Sequence, residues 1–189
     1  MAAFTKKAIV ESFLHLLGKK PIDKITVRDV VDHCGINRNT FYYYFQDIYA
    51  VLEEISRNVA DALPQEASLP VTFEAFFRGM WSFNAAHPRT TRGLLLSLGL
   101  DGLERYFARD MDGVISACLA REVEKDEWDA PHLKRVTAFL RHAIFGFCID
   151  FLNLDKSESF EEALADIVQI LQDTQDSLCN KNRQKQKNV

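Results

Sequence analysis

The sequence predicts an all-α protein, and three observations carry the prediction. Nearly every segment has apolar residues recurring at helical spacing. Thr26 to Phe45, TVRDVVDHCGINRNTFYYYF, has the spacing of two short helices joined by a glycine-containing turn. One Pro-bounded stretch, Pro64-Gln65-Glu66-Ala67-Ser68-Leu69-Pro70, is the credible linker and divides the chain into a small N-terminal part and a larger helical remainder.

The first helix spans about Thr5 to Leu17, with Ala8, Ile9, Phe13, Leu14, Leu16 and Leu17 on one side. Lys6 and Lys7 in its first turn oppose the helix dipole slightly, a placement that a nearby phosphate or plain solvation explains equally well. Gly18-Lys19-Lys20-Pro21 breaks this helix. Thr26 then caps the next one, whose apolar face is Val27, Val30 and Val31. Gly35 suits the left-handed residue that ends it. Ile36 turns inward, and Asn37 caps a further helix from about Arg38 to Tyr44. Phe41 and Phe45, four apart, share a core face with Val27, Val30 and Ile48. Tyr42, Tyr43 and Tyr44 fan out by about 100° each, so at least one must meet solvent.

This arrangement is that of a motif whose second helix enters the DNA major groove. The polar run Asn37, Arg38, Asn39, Thr40 lies at the end of that helix which reaches base edges. Arg suits guanine O6 and N7, Asn suits adenine N6 and N7, and the Thr methyl suits the thymine methyl.

GINRNTFYYYFQDIYAVLEEI resembles the DNA-binding signature of TetR-family transcriptional regulators: Gly, an apolar residue, a polar cap, a Thr, then a Tyr-x-x-Phe cluster. The resemblance is specific over roughly the first 55 residues and architectural beyond them. It implies that Arg28, Arg38, Asn39, Thr40, Tyr42, Tyr43 and Tyr44 face DNA. Arg28 would reach base or backbone, Tyr43 sugar or a thymine methyl, and Tyr42 and Tyr44 phosphates. One departure is Ile48, where the family often has a Lys that touches phosphate. The FQDIYAVLEE segment, with that Ile, is similar to regulators linked to dihydroxyacetone kinase operons.

Asp47 caps the following helix, in which Ile48, Val51, Leu52, Ile55 and Val59 continue to about Leu63 before Pro64 stops it. The expected organisation is therefore a helix-turn-helix DNA-binding domain over 1–63, a helical effector-binding and dimerisation domain over 64–179, and a disordered basic tail over 180–189. Thr72 is expected to cap an aromatic helix ending at His87-Pro88, followed by a short helix over Thr90 to Ser97. Gly99 to Gly102 should break the chain before a helix from Leu103 to about Glu124, and the charged patch Glu122 to Asp129 should be a loop. Pro131 fits a first helical turn. Two long helices close the chain, one from about Ala130 to Leu152 and one starting after Ser157 or Ser159.

The first of these is apolar over more than one face, so it needs cover on several sides. A second copy supplies that cover best, through a four-helix bundle across a two-fold axis. The expected interface is Val136, Phe139, Leu140, Ala143 and Phe147, with Leu164, Ile167, Val168 and Leu171. Trp81, Phe83, His87, Phe107, Cys118, His142 and Phe145 are candidates for an effector pocket, since apolar walls with a few polar groups line most small-molecule sites. Aromatics at helical spacing are more often simply core.

The net charge of −4 is unevenly spread. Residues 1–46 hold seven Lys or Arg against four Asp or Glu, 47–179 hold twelve against twenty-three, and 180–189 hold four against none. Phosphate binding depends on local Lys and Arg, so an acidic middle does not disqualify a basic head. No apolar run approaches the ~18 residues of a membrane span, and charges inside the N-terminal stretch argue against a secretory leader. Cys34, Cys118, Cys148 and Cys179 are far apart and lack metal spacing, so reduced thiols in a cytoplasmic protein are expected, with buried inert cysteine favoured over a redox pair of Cys118 and Cys148. His132 and His142, ten apart, cannot converge on a metal from one helix. No phosphate loop, nucleophile elbow or paired-carboxylate motif suggests an enzyme.

The leading expectation is a dimeric, ligand-responsive repressor on a pseudo-palindromic operator, needing no cofactor and taking a small apolar effector. The alternative is a TetR-like activator or interaction protein working through a protein coregulator.

Overall fold

The computed structural model describes residues 2–64, 66–122, 129–153 and 159–186. The expected loop at 123–128, a helix start at Ser157 and the last three tail residues lie outside the described residues. Among the described residues the regular structure is helical: α1 (Ala2–Leu17), α2 (Val27–Cys34), α3 (Arg38–Tyr44), α4 (Ile48–Ala62), α5 (Leu69–Ala86), α6 (Pro88–Glu122), α7 (Ala130–Asn153) and α8 (Phe160–Gln186), with a single 3-10 turn at Ile22–Lys24.

The chain divides into two compact units, one of Met1–Val59 with Ser82–Phe107, the other of Ala60–Trp81 with Ala108–Val189. In the first, Ile9, Phe13 and Leu17 of α1 close on Val30 and Val31 of α2, Phe41 of α3, and Val51 and Leu52 of α4. Full burial of one such side chain stabilises the head by roughly 1.5–3 kcal/mol. The first half of α6 joins this core through Leu94, Leu98 and Tyr106. Thr90 Oγ1 donates to the Leu14 carbonyl at 3.2 Å, and Ile22 N–H donates to Ser97 Oγ at 3.1 Å. A Cβ at Gly93 would overlap the Leu17 carbonyl oxygen, so glycine lets the two helices touch backbone to backbone. At Gly99 (φ 63°, ψ 179°) α6 kinks, and the break expected at Gly99 to Gly102 takes this form.

In the second unit, α5 begins at Leu69, three residues before the cap expected at Thr72. Thr72 is instead buried: its hydroxyl donates to the Pro64 carbonyl at 3.3 Å and accepts from Cys118 Sγ at 3.6 Å. Gln175 Oε1, also buried, accepts the Leu69 amide of the first turn at 3.1 Å. Phe73 and Phe77 are fully buried, with Phe77 edge-on to Phe151 at 5.1 Å. Asp129 caps α7 by accepting from His132 N–H at 2.7 Å.

The inward face of α7 is Thr137, Leu140, Ile144, Cys148 and Phe151. Leu140, Leu164 and Leu171, expected at a dimer interface, are buried within their own chain at 2%, 1% and 2% exposure. They serve the unit's own core, because steps of three and four place them on the same stripe as Ile144 and Gln175. Phe139 points outward at 67% exposure, Ile170 is likewise exposed, and Val136, Ala143, Phe147, Ile167 and Val168 are half-buried. The backbone of α8 stays helical through Gln186, where a structureless tail was expected from 180. Its Lys, Arg and Gln residues all favour helix, so helix extends there without an apolar stripe.

Cys118 and Cys148 are both buried free thiols. Burial pushes the Cys148 thiol far up, which leaves it unreactive.

Candidate nucleic-acid interface

The helix-turn-helix is set by local chemistry. Thr26 Oγ1 accepts the Asp29 amide at 3.2 Å, and Asp29 Oδ2 takes the Thr26 amide at 2.7 Å, a reciprocal capping box. Lys20 Nζ lies 2.8 Å from the same carboxylate oxygen, and these partners hold Asp29 well below the usual carboxylate range. Gly35 ends α2 at φ 72°, donating its N–H to the Val31 carbonyl at 2.9 Å. Asn37 caps α3, accepting the Thr40 amide at 2.8 Å. Asp47 caps α4 through the Ala50 amide at 2.8 Å.

With Phe41 and Phe45 pressed into the core, α3 turns its opposite face out. Tyr43 is 80% and Tyr42 56% exposed, and Arg38 and Asn39 stand beside them at the start of the helix. The Tyr42 ring sits edge-on to Phe41 at 5.7 Å, which limits its motion. Tyr44 is half-buried against the head core, its ring edge-on to Tyr43 at 4.9 Å. Arg28 is exposed on α2, 3.5 Å from Asp32. The surface therefore joins Arg28, Arg38, Asn39, Tyr42 and Tyr43, while Asn37 and Thr40 are tied to each other and Tyr44 is turned partly inward.

Ile48 is buried and belongs to the core. Lys6, one of two candidate phosphate lysines, reaches back to Glu54 at 2.6 Å and lies 5.8 Å over the Phe45 ring. Lys7 pairs loosely with Glu11 at 3.8 Å. The Lys6–Glu54 pair and a stack of His15 on His33, 4.6 Å between ring centroids, had no local signal in the sequence.

The seven candidate pocket residues are divided between the two units. Phe83, His87 and Phe107 belong to the first unit; Phe83 and His87 rings are 4.9 Å apart. Trp81, Cys118, His142 and Phe145 belong to the second, where Trp81 stacks flat on Phe160 at 4.5 Å and His142 is exposed. Among the described residues no group of three His, Cys, Asp or Glu could hold a metal ion.

A capped helix, a glycine turn and a short helix with an outward polar and aromatic face form a helix-turn-helix, the motif whose second helix DNA-binding proteins lay in the major groove. Residues 9–55 match the family model described as bacterial regulatory proteins, tetR family. No curated protein matches the chain. Among solved structures the chain is similar to the dihydroxyacetone kinase operon activator DhaS (18% identity, 90% of this chain and 95% of that one, TM-score 0.62). It is also similar to a TetR transcriptional regulator from Streptococcus agalactiae (22%, 90% and 94%, 0.58). A third is NalD, the secondary repressor of the MexAB-OprM multidrug efflux pump in Pseudomonas aeruginosa (17%, 89% and 96%, 0.55). At these identities the structural likeness speaks for the fold alone. The family likeness is thus carried by residues 9–55, the head of the chain. Among the described residues no helix is long and apolar enough to cross a membrane.

Proposed function

We propose that the protein is a cytoplasmic, ligand-responsive repressor that binds a pseudo-palindromic operator as a homodimer. The observation that carries this reading is the outward face of α3, where Tyr43 is 80% exposed beside Arg38 and Asn39 while Phe41 is fully buried. An exposed tyrosine beside an arginine at a helix N-terminus suits a groove better than it suits solvent. Arg38 and Asn39 read base edges, Arg28 and Tyr43 reach base or backbone, and Tyr42 binds phosphate through its hydroxyl.

Two heads are needed because one carries little positive charge, and a second multiplies the effect of the first. The outward residues of α7 and α8, Phe139 and Ile170 with the half-buried Val136, Ala143, Phe147, Ile167 and Val168, supply an apolar face for a second copy. An effector that prefers wrongly spaced heads weakens operator binding by its differential affinity, with α4 as the transmitter. Sedimentation of the protein with an operator duplex tests the stoichiometry: two chains per duplex support the reading, and one chain at saturation overturns it.

The alternative is an activator that works through a protein coregulator, supported by the similarity of FQDIYAVLEE and of the fold to an operon activator. Affinity capture with ligand-free protein separates the two, since a stoichiometric protein partner favours the alternative and a co-purifying small molecule favours the repressor.

A further inference from the structure

A recess of about 700 Å³ lies within the DNA-binding unit, walled by the last turns of α1 and α5 and the first turn of α6. That volume is in the range of small-molecule sites. Leu14, Phe83 and Ala86 form its apolar side, and His15, Lys19, His87, Arg89 and Thr90 its polar side, with the Glu11 carboxylate on the rim paired loosely to Lys7 at 3.8 Å. A smaller recess of about 240 Å³ shares Gly18, Lys19 and Arg89 with it and adds Arg92. Among the described residues, Lys19, Arg89 and Arg92 have no carboxylate within ion-pair distance, whereas Lys20 beside them is committed to Asp29 at 2.8 Å.

The walls are held by backbone contacts. Thr90 Oγ1 bonds the Leu14 carbonyl at 3.2 Å, and a Cβ at Gly18 would come to 3.1 Å from that hydroxyl. The recess therefore needs little ordering before a ligand enters, which favours binding. An inorganic anion would leave the Phe83 and Leu14 wall wet, and a neutral aromatic would cover two cations without neutralising them.

We propose that this recess is a ligand site for a small organic anion, its aromatic or aliphatic body against Phe83 and Leu14 and its carboxylate or phosphate facing Lys19 and Arg89. The Lys19 charge, then burial and His33, lowers the His15 imidazole from its ordinary value. His15 also stacks on His33 of α2, two residues before the Gly35 turn that launches α3. A ligand against His15 thus bears on the support of the recognition helix. That consequence rests on the regulator reading; the binding does not.

The test uses the full-length protein with phenyl phosphate and benzoate, and with inorganic phosphate and benzyl alcohol as comparison arms. Calorimetry should give saturable binding of at least one aromatic anion, about tenfold or more tighter than either comparison arm. The double variant Lys19→Gln/Arg89→Gln should weaken it about tenfold or more, and Lys134→Gln, exposed in the other unit, less than about twofold. In NMR spectra the imidazole signals of His15 and His87 should move with ligand while those of His132 and His142 stay. The proposal is overturned by an absence of saturation below about 10 mM, by shifts confined to His132 and His142, or by binding indifferent to the double variant. It is equally overturned if the double variant binds random duplex with a flatter salt dependence while neither aromatic anion binds wild type, which would assign these cations to the DNA backbone. Binding here without effect on operator affinity leaves the site standing and removes only its regulatory consequence.

Discussion

Asn37 Oδ1 accepts two hydrogen bonds from Thr40, one from its amide at 2.8 Å and one from its hydroxyl at 3.0 Å. The pair spends the Asn37 carbonyl and the Thr40 hydroxyl proton inside the protein, so the proposed function leaves sequence readout to Arg38 and Asn39. Asn37→Ala should therefore cost about 1 kcal/mol of stability in urea unfolding, and Asn37→Asp much less. Unchanged stability with lost DNA binding would make Asn37 a base reader instead.

Arg38 is exposed at the first position of α3. Arg38→Ala should cost about 1–3 kcal/mol at the matched operator and relax discrimination at one base pair. Fluorescence anisotropy on operator and random duplexes checks it. Equal losses on both would show that Arg38 holds phosphate alone.

Asp29 ties Thr26 to Lys20, and hydrogen bonds from Lys20 first and Thr26 second hold its carboxyl below the ordinary range. A depressed carboxylate contributes stability that is complete above its unfolded value and is lost as pH falls through that value toward the native one. Wild type should therefore exceed Asp29→Asn in stability near neutral pH, with the gap shrinking below about pH 4. A gap independent of pH would contradict the assignment.

Two glycines should respond oppositely. Gly93→Ala places a methyl group on the Leu17 carbonyl and should cost about 1–3 kcal/mol. Gly79, exposed in α5 with nothing near its missing Cβ, should gain roughly 0.5–1 kcal/mol on the same change. Thermal unfolding of the two variants decides the matter, and equal effects would refute the close packing of α6 on α1.

Phe139 and its neighbour Leu140 should also separate. Phe139→Glu should yield folded monomers in sedimentation, because the residue is outward, while Leu140→Ala should lose about 2–5 kcal/mol of stability from the core. A Phe139→Glu protein that remains dimeric would place the interface elsewhere.

The head was legible because its determinants are local: Thr26, Gly35, Asn37 and Asp47 act within four residues of themselves. Thr72 was misread because a threonine before an aromatic run looks the same whether it caps a helix or is buried within one. Periodicity showed that α7 is apolar on several sides, yet it could not say which side meets the chain's own core; Leu140 and Phe139 went opposite ways. The grouping of 82–107 with the head rests on contacts such as Thr90 to Leu14 and Ser97 to Ile22, which link residues more than seventy apart. Helical spacing likewise makes core and cavity aromatics look alike, so the sequence could not assign the candidate pocket residues to one unit.

Selection of bound duplexes from a random pool tests the central claim most directly. Two outward α3 helices related by a two-fold axis should enrich an inverted repeat whose half-sites are centred roughly 34–36 Å apart or a multiple of it. Recovery of a lone half-site bound by one chain, or no enrichment over the starting pool, would contradict it.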